Sequence, residues 1–257
     1  MKLLVRWGLT LGLASSVIFG GILGINNLQA LALPQEQVVK TLQEVPVFTL
    51  TNAQGEFVVI SRKNQSKTIS QVGFFLSKKD AQIFLEQRLK KENPQLASTI
   101  KITPLSLAEY YKLVVENNKK KDSNIVFSLV PSKQQVDQAI TMLNTSGKTD
   151  KKFDGIPLFV PKFKQDNSYL TIPKGQSGKE RLIPFYFEKE QAVALLEAFK
   201  KAKPQEAANT EIQVLDLYRV IDTLSSSNDP STNKIFLFPS RESIEFIRSI
   251  VPAQPKK

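Results

Sequence analysis

The 257-residue sequence contains no cysteine and no histidine. Without cysteine, disulfides, zinc–thiolate sites and a thiol nucleophile are excluded. Without histidine, the usual general base near neutral pH, the serine–histidine–acid triad and histidine metal ligation are excluded too. Chemistry on this chain would depend on carboxylates, on lysine or on a bound cofactor. A carboxylate enzyme would need two acids roughly 5–10 Å apart in a cleft. No paired acids recur at matching places, and no acidic cluster has calcium-loop spacing.

What is present suits a globular protein, with 41% hydrophobic and 23% charged residues. A chain of this length buries roughly 70–75% of the surface its unfolded form exposes, so it needs no staples. Lys2 and Arg6 form a short basic start, and Trp7 to Ile25 is an apolar run broken only by Gly, Ser and Thr. Ala30-Leu31-Ala32 then gives a small-x-small cleavage pattern followed by Leu33-Pro34. The pattern predicts a signal peptide over residues 1–32, cut between Ala32 and Leu33. An uncleaved anchor is the competing reading, since such a run nearly spans a bilayer. The small-residue site and the polar chain right after it favour cleavage and export.

Removing Lys2 and Arg6 leaves 33 of the 35 basic residues against 24 acidic ones. Lysines cluster at Lys78-Lys79, Lys90-Lys91, Lys119-Lys120-Lys121 and through Lys148, Lys151 and Lys152. Such a surface suits acidic protein or peripheral contact with an anionic membrane. Nucleic acid is excluded as a partner, because the chain is exported and the lysine runs do not interleave with stacking aromatics.

The mature chain reads twice. Val45-Pro46-Val47-Phe48 recurs 111 residues later as Ile156-Pro157-Leu158-Phe159. Phe74-Phe75-Leu76 recurs at the same offset as Phe185-Tyr186-Phe187, and Ala81, Phe84 and Leu85 fall on Ala192, Leu195 and Leu196. Leu105-Ser106-Leu107 matches Leu215-Asp216-Leu217 at offset 110, and Ile125–Val130 with Pro131-Ser132 matches Ile235–Phe238 with Pro239-Ser240 at offset 108. Small insertions and deletions in loops would produce that drift.

Period and punctuation predict the elements of each copy. Val45–Leu50 and Phe57–Ser61 flank Asn52-Ala53-Gln54-Gly55 as a hairpin, and Val72–Leu76 is a third strand. Ser77 with Asp80 caps a helix that ends before Pro94. Thr99–Thr103 is a strand, Ser106 with Glu109 caps a helix to about Asn117, Ile125–Val130 is a strand, and Ser132 with Gln135 caps a last helix. The second copy predicts a hairpin of Leu158–Val160 and Tyr169–Ile172, then strand Ile183–Phe187 and helix Gln191–Lys201. Strand Ile212–Leu215, helix Leu217–Leu224, strand Ile235–Phe238 and helix Arg241–Ser249 follow. The expected fold is α+β: two tandem β-β-β-α-β-α-β-α repeats with mixed sheets, related by a pseudo-twofold. The expected bounds are 33–44 for an N-terminal extension, 45–143 and 156–250 for the repeats, 144–155 for a lysine-rich linker and 251–257 for a tail.

Two motif-like stretches fail on inspection. Ser146-Gly147-Lys148-Thr149 has Met142 where a phosphate-binding loop needs glycine. Gly175-Gln176-Ser177-Gly178 lacks the closing glycine of a nucleophile elbow and any histidine to activate its serine. The sixteen phenylalanines point instead to apolar binding, and Phe48, Phe74, Phe75, Phe159, Phe185 and Phe187 are the candidate peptide-binding residues. Strand alternation lets only every second one face the same way, so some of these must be core.

The Val-Pro-Val-Phe opening, the Val72-Gly73-Phe74-Phe75-Leu76-Ser77 segment with Asp80-Ala81, and the echo Pro184-Phe185-Tyr186-Phe187 resemble a known family. It is that of the twenty-two-kilodalton subunit of the chloroplast inner-envelope protein translocon, and its cyanobacterial members fit the bacterial-type signal best. The resemblance runs from about Val45 to Ile250. It implies a non-catalytic, cofactor-free, chaperone-like factor with apolar grooves, acting in the periplasm, with the thylakoid lumen as a second compartment. Implied partners are unfolded or precursor outer-membrane proteins and the periplasmic domains of the β-barrel insertase. The alternative is a non-catalytic scaffold that bridges translocon or insertase components.

Overall fold

Side chains alternate across a strand, so a strand that is apolar throughout must be covered on both faces. The central strands here are of that kind, and the helices are distributed accordingly. A computed structural model describes residues 6–9, 32–64, 67–145, 153–175, 177–227 and 229–250.

The first sheet contains β1 (Arg6–Leu9), β2 (Pro46–Thr51), β3 (Val59–Asn64), β4 (Lys67–Phe75), β5 (Lys101–Ser106) and β6 (Ile125–Val130). β4 lies between β2 and β6, β5 closes the far edge beside β2, and β3 pairs with the first part of β4. Only β4–β6 and the contact of β1 with β3 are parallel. The second sheet contains β7 (Pro157–Phe163), β8 (Ile172–Lys174), β9 (Glu180–Tyr186), β10 (Thr210–Asp216) and β11 (Ile235–Phe238). Its order is β10-β7-β9-β11, with β9–β11 parallel and β8 on β9. Phe48 faces Phe75 across β2–β4, and Phe159 faces Tyr186 across β7–β9. After β5, the Leu107 N–H donates to the Val45 carbonyl at 2.7 Å; after β10, the Leu217 N–H donates to the Ile156 carbonyl at 2.9 Å.

One continuous core fills the space between the sheets. Phe74 of β4, Phe127 and Leu129 of β6, and Leu158, Val160, Ile183 and Phe185 of the second sheet all belong to it. So do buried residues of three helices: α1 (Ala32–Leu42), α5 (Leu107–Asn118) and α9 (Leu217–Ser226). Tyr110 of α5 meets Tyr218 of α9 through their hydroxyls, and burial raises both above the ordinary tyrosine pKa, Tyr110 well above it. The Ser106–Glu109 capping box opens α5 as its sequence predicts.

The outer face of the first sheet lies under α2 (Lys78–Ile83), a π-helical segment (Phe84–Leu89) and α4 (Pro94–Thr99), with the short α3 (Lys90–Glu92) joining the last two. The outer face of the second lies under α7 (Lys189–Ala202), followed by the short α8 (Pro204–Ala207). Each outer face takes one further helix, and it comes from the other half. α6 (Lys133–Thr145) leaves β6 of the first sheet and packs on β7 and β10, while α10 (Arg241–Ile250) leaves β11 and packs on β2.

Strands β6 and β11 fall where the sequence predicts them, and Gly55 closes the first hairpin at φ 80°, a conformation that favours glycine. Three differences have physical causes. The segment expected as an extension is the helix α1, and its Val38 and Leu42 are fully buried between the sheets. The strand expected at Thr99–Thr103 begins only at Lys101, because Asn93 and Pro94 start a helix: the Asn93 side chain caps the Leu96 N–H at 2.9 Å. The one-residue change of offset is absorbed inside a helix and not in a loop. Ala81 to Pro94 spans thirteen positions and Ala192 to Pro204 twelve, and the π-helical segment lies in the longer stretch. The segment 1–32 predicted as a signal peptide lies outside the described residues except for β1 and Ala32, as do Ser146-Gly147-Lys148-Thr149, Gln176 and the expected tail.

Phe74 is fully buried and its ring meets those of Phe57, Tyr110 and Phe127. Phe74→Ala should therefore cost about 3–5 kcal/mol in urea unfolding. Ile69→Ser, at a side chain 42% exposed, should stay within about 0.5 kcal/mol. Equal losses from the two would refute the inner face as the main core.

Candidate functional site

The six predicted phenylalanines divide by strand parity. Phe74, Phe185 and Phe187 point into the core between the sheets. Phe48, Phe75 and Phe159 point outward, beneath the covering helices. All six are buried, and the most accessible, Phe187, keeps 6% of its surface. An open groove lined by these rings is thus not present: each apolar face is closed by a helix. Alternation separates the six into two sets, and burial of large rings makes the closure favourable at about 25 cal/mol per Å².

Beneath α10, Phe246 packs edge-on against Phe48, with ring centroids 5.2 Å apart, in a cluster with Phe75, Ala81 and Val130. The Lys78 ammonium lies 4.3 Å from the Phe246 ring centre, a cation–π contact on the outer side. A narrow slot continues this cluster between Leu50, Val58, Phe75 and Phe84 and holds only about 10 Å³ of free space. It is bordered by the π-helical segment, a deformation that recurs at functional sites. Beneath α6, Ala139 and Met142 pack with Phe159, Tyr186, Ala192 and Phe238. Burial there pushes the Tyr186 hydroxyl up to about 12.

The starts of α2, α6, α7 and α10 are tied together by side chains that cross between the halves. Ser77 caps α2 through the Asp80 N–H, and its own hydroxyl donates to Glu242 of α10 at 2.9 Å. The other oxygen of Glu242 accepts the Lys79 N–H at 2.6 Å. Across the junction, Gln135 of α6 accepts the Lys189 N–H at 2.9 Å and donates to Glu190 at 3.0 Å. Gln138 also donates to Glu190. Gln135 reads in sequence as a local cap partner of Ser132; the fold uses its side chain on the opposite half instead. No local sequence pattern could have revealed that use.

Four carboxylates gather here, each near a helix N-terminus, where the helix dipole favours negative charge. Asp80 is raised above the ordinary carboxylate value, by burial first and by Glu242 next, against the Lys133 N–H that it accepts at 3.4 Å. Glu188 is raised by burial and then by Glu190 and Glu242, against the Arg241 backbone and charge. For Glu190 burial is the largest single influence and raises, but the bonds from Gln138 and Gln135 and the charge of Lys189 together bring it below the ordinary value. An open polar cleft of about 460 Å³ runs beside the junction, lined by Lys133, Gln134, Asp137, Gln138, Thr141 and Lys189. A second depression of about 510 Å³ holds Lys120 and Lys121 beside Glu116 and Asp122. Among the described residues no group of acids is arranged to hold a metal ion, and no helix is long and apolar enough to cross a membrane.

The raised and lowered carboxylates have opposite pH signatures. A raised folded-state pKa means the unfolded chain ionises first, so stability falls as pH climbs from about 4 through the folded value. Asp80→Asn with Glu188→Gln should therefore gain on the native chain in urea midpoint between about pH 4.5 and pH 7. Glu190→Gln should do the reverse, matching the native chain in acid and falling behind it as pH rises. A common trend for all three changes would contradict this assignment.

With the geometry in hand, comparison with known proteins gives a consistent result. The model of the Tic22-like family matches residues 21–249. The chloroplastic protein TIC 22 of Arabidopsis thaliana is 27% identical over 215 residues, covering 83% of this chain and 72% of that protein. Its counterpart in Pisum sativum is 24% identical over 224 residues, covering 86% and 80%. Among solved structures, Tic22 of Anabaena, described as a protein of protein transport, superposes with a TM-score of 0.75 at 28% identity. That match covers 86% of this chain and 99% of the other. Tic22 from Plasmodium falciparum shares the fold, with a TM-score of 0.65 at 23% identity and coverage of 82% and 96%.

Proposed function

The chain belongs to the Tic22-like family, and from that premise we propose that it is an exported, non-catalytic protein-transport factor that holds precursor proteins in an aqueous space. That space is the periplasm or the thylakoid lumen, reached by a signal cut between Ala32 and Leu33. The clients are unfolded outer-membrane proteins on their way to the periplasmic domains of the β-barrel insertase.

One observation carries the reading. Each outer apolar face is covered in part by a helix borrowed from the other half, so a face can be bared without dismantling its own sheet. Withdrawal of α10 would expose Phe48 and Phe75, and withdrawal of α6 would expose Phe159. Phe74, Phe185 and Phe187 would be reached only by parting the two sheets. Apolar surface of this sort would bury apolar side chains that an unfolded client leaves exposed. The matching strand orders of the two sheets support treating the halves as tandem repeats about a pseudo-twofold, with one such face on each. The lysines of the surface would steer acidic partners or rest against anionic lipid.

The scaffold reading draws on a different observation, the closure of both faces in the resting fold. It calls for a defined partner with a saturable interface and no affinity for unfolded chains. Dilution of a urea-denatured barrel protein into the mature chain separates the two. Dose-dependent suppression of aggregation that survives moderate salt is expected. Protection abolished by salt, and matched by a folded control of equal charge, would leave the scaffold.

A further inference from the structure

We infer that α10 is a resident ligand of the first outer face, and that this face accepts in its place an amphipathic helix carrying a carboxylate four residues before an aromatic ring. The inference rests on the proposed handling of precursors and specifies what one of its two faces recognises. The face offers three complementary elements. Ser77 Oγ–H and Lys79 N–H, 2.9 and 2.6 Å from the two oxygens of Glu242, form a two-point donor for one carboxylate. The apolar cluster of Phe48, Phe75, Ala81 and Val130 takes one ring, now that of Phe246, edge-on to Phe48. The Lys78 ammonium closes over that ring from outside at 4.3 Å. Glu242 and Phe246 stand one helical turn apart, so a single helix satisfies both.

The hold on α10 is light. Ser243 is its one buried residue, Phe246 is half-buried and Ile250 is 51% exposed. Its counterpart α6 is fixed more firmly, by buried Gln135 and Ala139 and by side-chain bonds to Lys189 and Glu190. Segments with few buried contacts are the ones that open locally. A helix with the same two determinants, supplied at high local concentration by a bound precursor, would then compete for the seat.

The test uses a fluorescent peptide with the sequence Arg241–Ile250 and the full chain, read by anisotropy. Resident α10 occupies the seat, so the native chain should bind weakly; Phe246→Ala in the protein should free the seat and tighten binding by about tenfold or more. Peptides in which Glu242 or Phe246 is replaced by alanine should lose that binding. If Phe246→Ala fails to fold, Glu242→Gln provides the same test with a smaller gain. Equal binding by the native and altered chains, or by the altered peptides, would overturn the inference. So would light scattering that shows the seat filled by α10 of a second copy in a dimer. Suppression of aggregation without peptide binding would refute this seat while sparing the broader function; peptide binding without suppression would do the converse.

Discussion

The constraint on which the structure depends is that both faces of both sheets are apolar. A strand such as Ile-Val-Phe-Ser-Leu-Val in β6 has Phe127 and Leu129 on one side and Val130 on the other. Covering the inner faces is straightforward, because the two sheets share α1, α5 and α9 between them. Covering the outer faces needs more helix than each half keeps for itself. The exchange of α6 and α10 meets that need, and it joins the halves through side chains as well as through the common core.

The junction of helix starts follows from the exchange. Each crossing helix arrives with its first turn beside the first turn of a resident helix, so unsatisfied N–H groups collect in one place. Serine, glutamine and carboxylate side chains supply the acceptors. Burial first, and the neighbouring acids after it, raise Asp80 and Glu188, whereas the amide bonds to Glu190 help bring that residue below the ordinary value. A cost in electrostatics is accepted where hydrogen bonding demands negative groups.

Local patterns were legible in the sequence wherever local physics decides. The Ser106–Glu109 box, the Ser77 cap and both parallel edge strands are where spacing puts them, and the outward turn of Phe48, Phe75 and Phe159 obeys simple alternation. What escaped is set by tertiary contacts. α1 has a modest apolar pattern next to a stronger candidate signal, and only the gap between two sheets makes Val38 and Leu42 core residues. Gln135 and Glu242 occupy positions where a local capping partner or a solvated acid is the natural reading, yet both act on the other half. The candidate site was half visible: its rings could be named, but the helices that close over them could not.

The crossing of α10 has a consequence for synthesis. The Ser77 hydroxyl waits for Glu242, 165 positions further along the chain, and Phe48 waits longer still for Phe246. A chain made from its N-terminus has strands β2 to β6 of the first sheet well before the helix that completes their cover is translated. Contacts of such long sequence separation form late and slowly, and apolar surface left bare meanwhile is prone to association. For the length of one half, the nascent protein thus has the same need for shelter as the unfolded chains it is proposed to hold.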